Sequence, residues 1–421
     1  MPSSSATVPQ AARRRAIRWL GAAVLAAAVV ASARVDVPQR SHGLKGDEAT
    51  YIAMALSLAH DHDLKFRRVD LERFERVYGS GPEGLFLKEG SRLSIGWRGG
   101  LPRIVRTSRD PARSLEFGKA FVYPLVAAPF VALFGLSGLL MLNVLLIGAV
   151  TWLAAEYAAA QGGRGGVVFA LAFVFASISP LYAVWLTPEV LNWALVFGGY
   201  FLWLYKRAPS VRGGAGGWPW LRSSWTDVVA ALLLGLATFS KPPNALLIVP
   251  LGIDALLRRR IRWTVVLAVA FLVGSAGMFG VNALVSGEFN YQGGERRTFY
   301  GRYPFSDAQA TFASAGVSMA TDNSDAQDLL APHVLWPMLK HNVLYFFVGR
   351  DAGLLPYFFP GTLALVLWLA HRGRGDPARI AIAGVLIVSV AVLLVFAPDS
   401  WAGGGGPPGD RYFLSLYPVM F

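Results

Sequence analysis

Residues 138–157 read GLLMLNVLLIGAVTWLAAEY, an apolar run of twenty residues in which Glu156 is the only charged side chain. An α-helix of about 20 apolar residues crosses the roughly 30 Å hydrocarbon core of a lipid bilayer. The run therefore predicts a membrane-spanning helix, and this prediction decides how the rest of the chain is interpreted.

The whole chain has the composition of a membrane protein. Of its 421 residues, 54% are hydrophobic and 15% are charged, whereas about a quarter of the residues of an average soluble protein are charged. Disordered and collagen-like classes are excluded by this composition. The absence of cysteine excludes disulfide scaffolds, thiolate metal sites and cysteine nucleophiles. The predicted fold class is an all-α polytopic membrane protein.

Eight further stretches have the same apolar character. They are residues 17–33, 166–183, 188–205, 226–240, 244–257, 263–285, 353–371 and 379–397. A tenth apolar segment, 119–135, contains Pro124 and Pro129, which disfavour a continuous helix. We therefore predict a bundle of about 9–10 transmembrane helices.

The distribution of basic residues predicts the orientation of these spans, because short loops rich in Arg and Lys face the cytoplasm. The basic residues in short loops are Arg164, Lys206, Arg207, Arg212, Arg222, Arg258, Arg259, Arg260, Arg262, Arg372, Arg374 and Arg379. All of these loops fall inside if the N-terminus is inside and residues 34–137 lie wholly outside. A full crossing by 119–135 would invert every later loop. We therefore predict that this segment is a juxtamembrane or re-entrant helix on the outer face.

This topology divides the chain into four parts. Residues 1–16 form a basic cytoplasmic N-terminus before an uncleaved membrane anchor. Residues 17–285 form a transmembrane module that includes the large first outer loop, 34–137. Residues 286–352 form an extracytoplasmic loop. Residues 353–421 form C-terminal transmembrane segments, and their short last apolar stretch suggests a truncated chain.

Three carboxylates are predicted at the outer membrane surface. Asp47 and Glu48 open an apolar helical stretch after the first span, and Glu189 follows Pro188 at a short outer turn. One interpretation is structural, because Asp47 stands at an N-cap position and acidic side chains stabilise the first turn of a helix. The other is functional, because a carboxylate at this boundary can serve as the general base of a glycosyl transfer. Glu189 could then orient the acceptor or help to hold a divalent ion with Asp47.

Four cations are predicted on the same outer side, against the general charge bias. They are Lys119, Lys241, Arg350 and Arg411. Each could simply extend to lipid headgroups or pair with a neighbouring acid, as Arg350 could with Asp351. Together, however, they form a set that could hold a phosphate group.

These residues resemble those of the GT-C membrane glycosyltransferases, which include protein mannosyltransferases and bacterial lipid A aminoarabinose transferases. Asp47-Glu48 followed by Tyr51 is similar to the acidic motif of their first outer loop. Lys119 with Tyr123-Pro124 looks like their juxtamembrane segment. Thr187-Pro188-Glu189 matches their second acidic site, and Gly409-Asp410-Arg411-Tyr412 resembles a late element of some members. The resemblance implies a GT-C-like bundle, a polyprenyl-phosphate sugar as donor and Asp47 as the base.

The predicted function is therefore an inverting glycosyltransferase of the plasma (inner) membrane with an extracytoplasmic active site. The predicted catalytic residues are Asp47, Glu48 and Glu189, and the predicted substrate- and phosphate-binding residues are Lys119, Tyr123, Lys241, Arg350 and Arg411. The predicted partners are the lipid-linked sugar, membrane lipids and an acceptor glycan, lipid or protein. No metal site, cofactor or nucleic acid is predicted, although a divalent cation stays open. The alternatives are a non-catalytic binder or flippase of lipid-linked sugars, and a membrane transporter.

Overall fold

The computed structural model describes residues 10–41, 43–98, 101–107, 115–163, 165–213, 218–291, 296–305, 309–318, 331–370, 375–396 and 408–421. Most of these residues are helical, which confirms the helical character predicted from the sequence. Arg164, Arg372, Arg374 and residues 1–9 of the predicted cytoplasmic N-terminus lie outside the described residues.

The secondary structure follows in chain order. The helices are α1 (Gln10–Ala33), α2 (Val37–Arg40), α3 (Gly46–His60), α4 (Arg68–Val77), α5 (Val122–Phe134), α6 (Ser137–Ala160), α7 (Gly166–Phe175), α8 (Glu189–Leu204), α9 (Pro209–Arg212), α10 (Trp225–Ser240), α11 (Val249–Leu257), α12 (Ile261–Leu272), α13 (Met278–Ser286), α14 (Phe312–Ala315), α15 (Pro332–Val348), α16 (Leu354–Tyr357), α17 (Phe359–Ala370), α18 (Pro377–Phe396) and α19 (Arg411–Leu414). Short 3-10 helices cover Ser179–Val184, Tyr205–Arg207, Pro219–Arg222, Pro242–Ile248 and Tyr417–Met420, and a π-helical segment, Val273–Gly277, joins α12 to α13. The strands are β1 (Lys65–Phe66), β2 (Glu83–Glu89), β3 (Arg92–Arg98), β4 (Leu101–Thr107), β5 (Leu115–Phe117), β6 (Arg297–Tyr300) and β7 (Val317–Ser318).

Among the described residues, three helical stretches are long and apolar enough to cross a membrane, namely Ser137–Ala160, Ile261–Ser286 and Pro377–Val395. Shorter apolar helices accompany them at Trp19–Ala33, Val122–Phe134, Gly166–Phe175, Trp225–Ser240, Pro242–Leu257 and Phe359–Ala370. Many side chains of these helices are large, apolar and exposed, such as Leu284 at 84% and Ile387 at 68%. Because such surfaces are stable only in an apolar surrounding, the chain has the character of a helical membrane protein.

Three predicted spans are interrupted rather than continuous. In the predicted span 166–183, α7 ends at Phe175 and a 3-10 helix that contains Pro180 follows. The predicted span 244–257 begins within the 3-10 helix that starts at Pro242. The predicted span 353–371 is divided between α16 and α17. Proline lacks a backbone N–H and clashes with the preceding helical turn, which explains why helices end or change type at these points.

The two long segments predicted as outer loops contain a β-sheet that the sequence analysis did not predict. Five strands lie in the order β1-β5-β2-β6-β7, and every neighbouring pair is antiparallel. β3 and β4 form a separate hairpin. Leu85 and Leu87 of β2 are buried with Phe117 and Phe299 in the core beneath α3. The predicted loop 286–352 also contains α14 and α15.

The pairing of β2 with β6 constrains the topology. Phe86 pairs with Thr298 and Leu87 with Arg297, so both strands lie on the same side of any membrane that the helices cross. The number of crossings between them must therefore be even. Six predicted spans lie between these strands, and a seventh crossing by α5 would make the number odd. If all six predicted spans cross the membrane, a non-crossing α5 keeps the number even. The predicted interruption of this segment is wrong, however, because α5 is one continuous helix that contains Pro129.

One close helix contact in the bundle joins α10 to the π-helical segment and the end of α12. A Cβ atom on Gly235 would lie 2.4 Å from the carbonyl oxygen of Phe271, and one on Gly274 would lie 2.5 Å from that of Leu232. Small residues at such positions let two helix backbones approach within a membrane, where packing rather than hydrophobic burial holds helices together.

We expect Gly235→Ala to destabilise the folded protein by about 1–3 kcal/mol, because the added methyl group forces α10 away from the Gly274 backbone. Gly280→Ala in α13 is the matched control, since nothing lies within 4 Å of the Cβ that it adds. Thermal unfolding of the two variants in the same detergent measures the difference. Equal melting temperatures would contradict the proposed contact.

Candidate active site

Five separate segments bring charged side chains to one cavity of about 310 Å³. These side chains are Asp47 of α3, Lys119 before α5, Glu189 at the start of α8, Lys241 at the break after α10, and Arg411 of α19. The rest of the wall includes the apolar residues Leu246, Val392, Leu393 and Leu416. Five of the eight residues predicted from the sequence therefore meet in one place.

Asp47 binds two of the cations and does not cap its helix. The N-cap residue of α3 is Lys45, which makes no side-chain capping bond, so the predicted N-cap role of Asp47 is wrong. The Asp47 carboxylate instead lies 2.5 Å from Lys119 Nζ through Oδ1 and 3.0 Å from Arg411 through Oδ2. Its position two residues beyond the N-cap turns the carboxylate toward the cavity.

The two cations keep Asp47 ionised. Burial alone would raise the pKa of Asp47, but Lys119 and Arg411 more than offset burial and hold this pKa below its ordinary value of 3.8. The Asp47 carboxylate is therefore unprotonated at neutral pH, as a general base must be.

Glu48 lies beside the cavity rather than in its wall. Its carboxylate accepts a hydrogen bond of 2.9 Å from the backbone N–H of Leu186, which ties α3 to the turn that precedes Glu189. Burial, together with the charges of Asp47 and Glu189, raises the pKa of Glu48 above its ordinary value, although the Leu186 hydrogen bond opposes this rise. These contacts make Glu48 a residue that positions the two neighbouring acids.

Glu189 and Lys241 form a second, buried pair in the cavity. Glu189 is 4% exposed, and its Oε1 lies 3.0 Å from Lys241 Nζ. The second oxygen, Oε2, is buried without a hydrogen-bond partner among the described residues. A buried carboxylate oxygen without a partner is costly, so this atom is available to accept a hydrogen bond from a bound molecule.

Arg411 is held in a fixed orientation by aromatic rings. Its guanidinium carbon lies 5.1 Å from the ring centroid of Trp185 and 5.1 Å from that of Tyr412, which is cation–π geometry. Burial alone would lower the pKa of Arg411, but Glu189, Tyr412 and Asp47 raise it above its ordinary value. Arg411 is thus a permanent positive charge with its planar group aimed at Asp47.

Asp410 fixes the short helix that carries Arg411. It is the N-cap of α19 and accepts hydrogen bonds from the backbone N–H groups of Tyr412 and Phe413. Burial raises the pKa of Asp410 to about 7, even though both hydrogen bonds and the charges of Lys241 and Arg411 act in the opposite direction.

Two predicted binding residues do not line the cavity. Tyr123 is fully buried behind it, where its hydroxyl lies 3.3 Å from Asn143 Oδ1 and its ring packs edge-to-face on Tyr51. Arg350 is exposed and lies in a turn before α16. Arg350 therefore does not line the cavity, although its neighbour Asp351 accepts a hydrogen bond from the backbone N–H of Gly409, two residues before Arg411.

The structure adds residues that the sequence analysis did not select. Ser389 of α18 lines the cavity, is 6% exposed, and has a hydroxyl without a hydrogen-bond partner among the described residues. A buried serine within an apolar span was a usable sequence signal. The Phe86 ring is shared by two cations, since its centroid lies 5.1 Å from the guanidinium carbon of Arg296 and 4.3 Å from Lys119 Nζ. Nothing in the sequence context of Arg296 indicated this position.

The cavity does not fit a divalent ion between its two acids. The ammonium groups of Lys119 and Lys241 already occupy the positions beside Asp47 and Glu189 that such an ion would need. Among the described residues, no group of three or more His, Asp or Glu side chains is placed to hold a metal.

Comparisons with models of protein families, with curated proteins and with solved structures found no match.

Proposed function

We propose that the protein is an inverting glycosyltransferase of GT-C type that moves a sugar from a polyprenyl-phosphate donor to an extracytoplasmic glycan, lipid or protein. The observation that carries this proposal is the meeting of two carboxylates and three cations in one cavity whose remaining wall is largely apolar. A polyprenyl-phosphate sugar has a polar head, an anionic phosphate and an apolar chain. The three kinds of surface in the cavity match these three parts.

The reaction is a single displacement at the anomeric carbon. The acceptor oxygen attacks this carbon from the face opposite the phosphate, and Asp47 takes the proton of the acceptor hydroxyl. The bond between the anomeric carbon and the phosphate oxygen breaks, and polyprenyl phosphate leaves with the electron pair. Lys119, Lys241 and Arg411 stabilise the charge that develops on this leaving group.

Binding of the donor changes the partners of Asp47. In the structure, Lys119 and Arg411 are both paired with this carboxylate. A phosphate that enters the cavity competes for the same two cations, because Arg and Lys bind phosphate oxygens as they bind carboxylates. The Asp47 carboxylate then becomes accessible to the acceptor, while Glu189 Oε2 accepts a hydrogen bond from the acceptor or the sugar.

The apolar side of the cavity suits the lipid chain. Ser389, Val392 and Leu393 of α18 line the cavity, whereas Ile387 and Val388 of the same helix are 68% and 49% exposed. One helix therefore separates the cavity from the lipid-facing surface. A lipid-linked substrate reaches the charged residues by a short path beside α18.

A non-catalytic binder of lipid-linked sugars is the second candidate. It is favoured by the ion pairs of Asp47, because both carboxylate oxygens contact cations. These cations lower the pKa of Asp47, which makes it a weak base. A transporter is less well supported, because α8 and α10 fill the middle of the bundle with buried apolar residues such as Val196, Phe197 and Leu234.

Deletion of the gene in the organism that encodes the chain tests the proposed activity. We expect mass analysis of envelope glycans, lipids and surface proteins to show the loss of one sugar mass from one acceptor, with its unmodified form accumulating. The gene restores the sugar when it is reintroduced. Unchanged envelope molecules together with an altered distribution of the lipid carrier between leaflets would instead support a flippase.

A further inference from the structure

A second charged cavity lies at the end of the bundle opposite the candidate active site. α8 and α10 extend from the active-site end, at Glu189 and Ser240, to this end, at Leu204 and Trp225. The cavity has a volume of about 240 Å³ and is bounded by the ends of α8, α10, α11 and α12. The proposed glycosyl transfer does not use it.

The lining of this cavity is strongly positive. Its charged side chains are Lys206, Arg207, Arg212, Arg258, Arg260, Asp227 and Asp254. Five basic and two acidic groups leave a formal net charge of +3. Such an excess in a concave site attracts an anion and is costly to maintain without one.

The acidic groups hold part of this set in place. Lys206 Nζ lies 2.7 Å from Asp227 and donates to Thr226, while Asp254 pairs with Arg207 and with Arg258. Arg212 and Arg260 make no ion pair among the described residues, and both are exposed at the mouth of the cavity. Their guanidinium groups are therefore available to a ligand, whereas Lys206, Arg207 and Arg258 are held in ion pairs.

Tryptophan side chains provide a further hydrogen-bond donor in the cavity and indicate that the cavity lies near the membrane–water boundary. Trp263 lines the cavity, and its Nε1 is buried without a hydrogen-bond partner among the described residues. Trp225 packs on it edge-to-face at 6.0 Å, and Trp220 and Trp225 are 61% and 67% exposed. Exposed tryptophans at helix ends are typical of the membrane–water boundary.

We propose that this cavity binds the phosphate of an anionic phospholipid headgroup, with Arg212 and Arg260 as its direct ligands and the Trp263 indole as an additional donor. Arginine forks match the oxygen geometry of a phosphodiester. Basic pockets between helix ends at the membrane surface bind anionic headgroups in this way. The glycerol and acyl chains of such a lipid lie along the exposed apolar surface of α12, where Val265 and Val269 are 57% and 54% exposed.

Binding of short-chain phosphatidylglycerol to the full-length protein in detergent, followed through tryptophan fluorescence, tests the proposal. We expect saturable binding to the wild type that the double variant Arg212→Gln/Arg260→Gln weakens by about tenfold, which corresponds to the loss of about 1.4 kcal/mol. Short-chain phosphatidylcholine is the lipid control and is expected to bind no more strongly to the wild type than to this variant. Both replaced side chains are exposed, so the folded state should persist, as gel filtration can verify.

The matched control is Arg259→Gln/Arg262→Gln, which removes the same charge from positions that flank Arg260. Neither residue lines the cavity, and both are exposed. This variant should keep its affinity for phosphatidylglycerol within about twofold, because long-range charge alone contributes little at physiological salt. Equal weakening by both double variants would overturn the proposal, since it would show attraction by net charge without a site.

Inorganic phosphate and glycerol 3-phosphate separate the two sources of this chemistry. Weak competition by both with phosphatidylglycerol would support a lipid site. Inorganic phosphate or glycerol 3-phosphate could instead bind the wild type as tightly as phosphatidylglycerol does, and lose this binding in Arg212→Gln/Arg260→Gln. That result would support a phosphate site but overturn its assignment to a lipid. Either result leaves the proposed glycosyl transfer unaffected, because the two cavities share no lining residue.

Discussion

Asp47→Asn should reduce the rate of sugar transfer by about 10³-fold while the protein stays folded. Asparagine has nearly the same shape as aspartate but cannot take a proton from the acceptor hydroxyl. Transfer can be measured with purified protein and a polyprenyl-phosphate sugar, by following the release of polyprenyl phosphate. In cells, the variant should fail to restore the sugar that is lost on gene deletion.

The same variant separates an enzyme from a binder. Removal of the Asp47 charge frees Lys119 and Arg411, which both pair with it in the structure. We therefore expect the affinity for farnesyl phosphate, a short soluble probe of the donor, to be unchanged or higher. Loss of transfer with retained binding supports Asp47 as the base. Full function of Asp47→Asn in cells would instead support the non-catalytic binder.

Asp36→Asn is the control for this substitution. Asp36 lies on the same predicted face, is exposed, and caps α2 by accepting from the backbone N–H of Gln39. Asparagine is also a good N-cap residue, so the fold of this segment is preserved. We expect normal transfer from Asp36→Asn. A comparable loss in the control would mean that the outer acidic residues act through general charge.

Arg411→Gln should weaken the binding of farnesyl phosphate by roughly 30- to 150-fold. A charged hydrogen bond in a desolvated site contributes about 2–3 kcal/mol, which corresponds to this range. The Arg411 side chain is 13% exposed and is aligned by Trp185 and Tyr412, so solvent screens its charge only weakly. Isothermal titration or a shift in melting temperature with added farnesyl phosphate can measure the effect.

Arg350→Gln provides a stringent comparison with Arg411→Gln. Sequence analysis assigned both arginines to phosphate binding, but only Arg411 lines the cavity. We expect Arg350→Gln to change the affinity for farnesyl phosphate by less than about twofold, because solvent screens an exposed charge that does not line the cavity. Arg411→Lys should give an intermediate loss, since it keeps the charge but not the planar fork. Equal losses for Arg350→Gln and Arg411→Gln would rule out the cavity as the donor site.

The pH dependence of Arg411→Gln checks the role of the ion pairs at Asp47. A base with a lowered pKa is active above that pKa and loses activity as the pH falls through it, so the acid limb of kcat/KM in the wild type should lie below about pH 4. Arg411 is one of the two groups that hold this pKa down. In Arg411→Gln the limb should therefore move to higher pH, and an unmoved limb would argue against Asp47 as the titrating base.

Local sequence patterns identified the charged residues of the site but not their contacts. Asp47, Glu189, Lys119, Lys241 and Arg411 stood out because ionisable groups are unusual beside apolar spans. Their pairing could not be predicted, because Asp47 and Arg411 are 364 residues apart in the chain. The assignment of Asp47 to an N-cap was wrong by two residues, and that shift changes the direction of its side chain by about half a helical turn.

The five-stranded sheet shows a different reason for an incomplete prediction. β1 and β7 have two residues each, and β5 has three. Such short strands carry no readable alternation of polar and apolar residues. The longer strand β2 pairs on one edge with β5, from residues 34–137, and on the other edge with β6, from residues 286–352. β1 then pairs with β5, and β7 pairs with β6. A pairing of this kind depends on the whole fold.

The sequence by itself determined that this is a helical membrane protein and which charged residues lie beside its apolar segments, because the length of an apolar segment and the position of a charge are properties of single segments. Only the tertiary structure decided which of those residues share a cavity: it brought Asp47, Lys119, Glu189, Lys241 and Arg411 together and left Arg350 at the surface. The physical reason is that a site requires side chains to meet within a few ångströms. Distances between segments far apart in the chain depend on helix packing and sheet pairing, which no local pattern encodes.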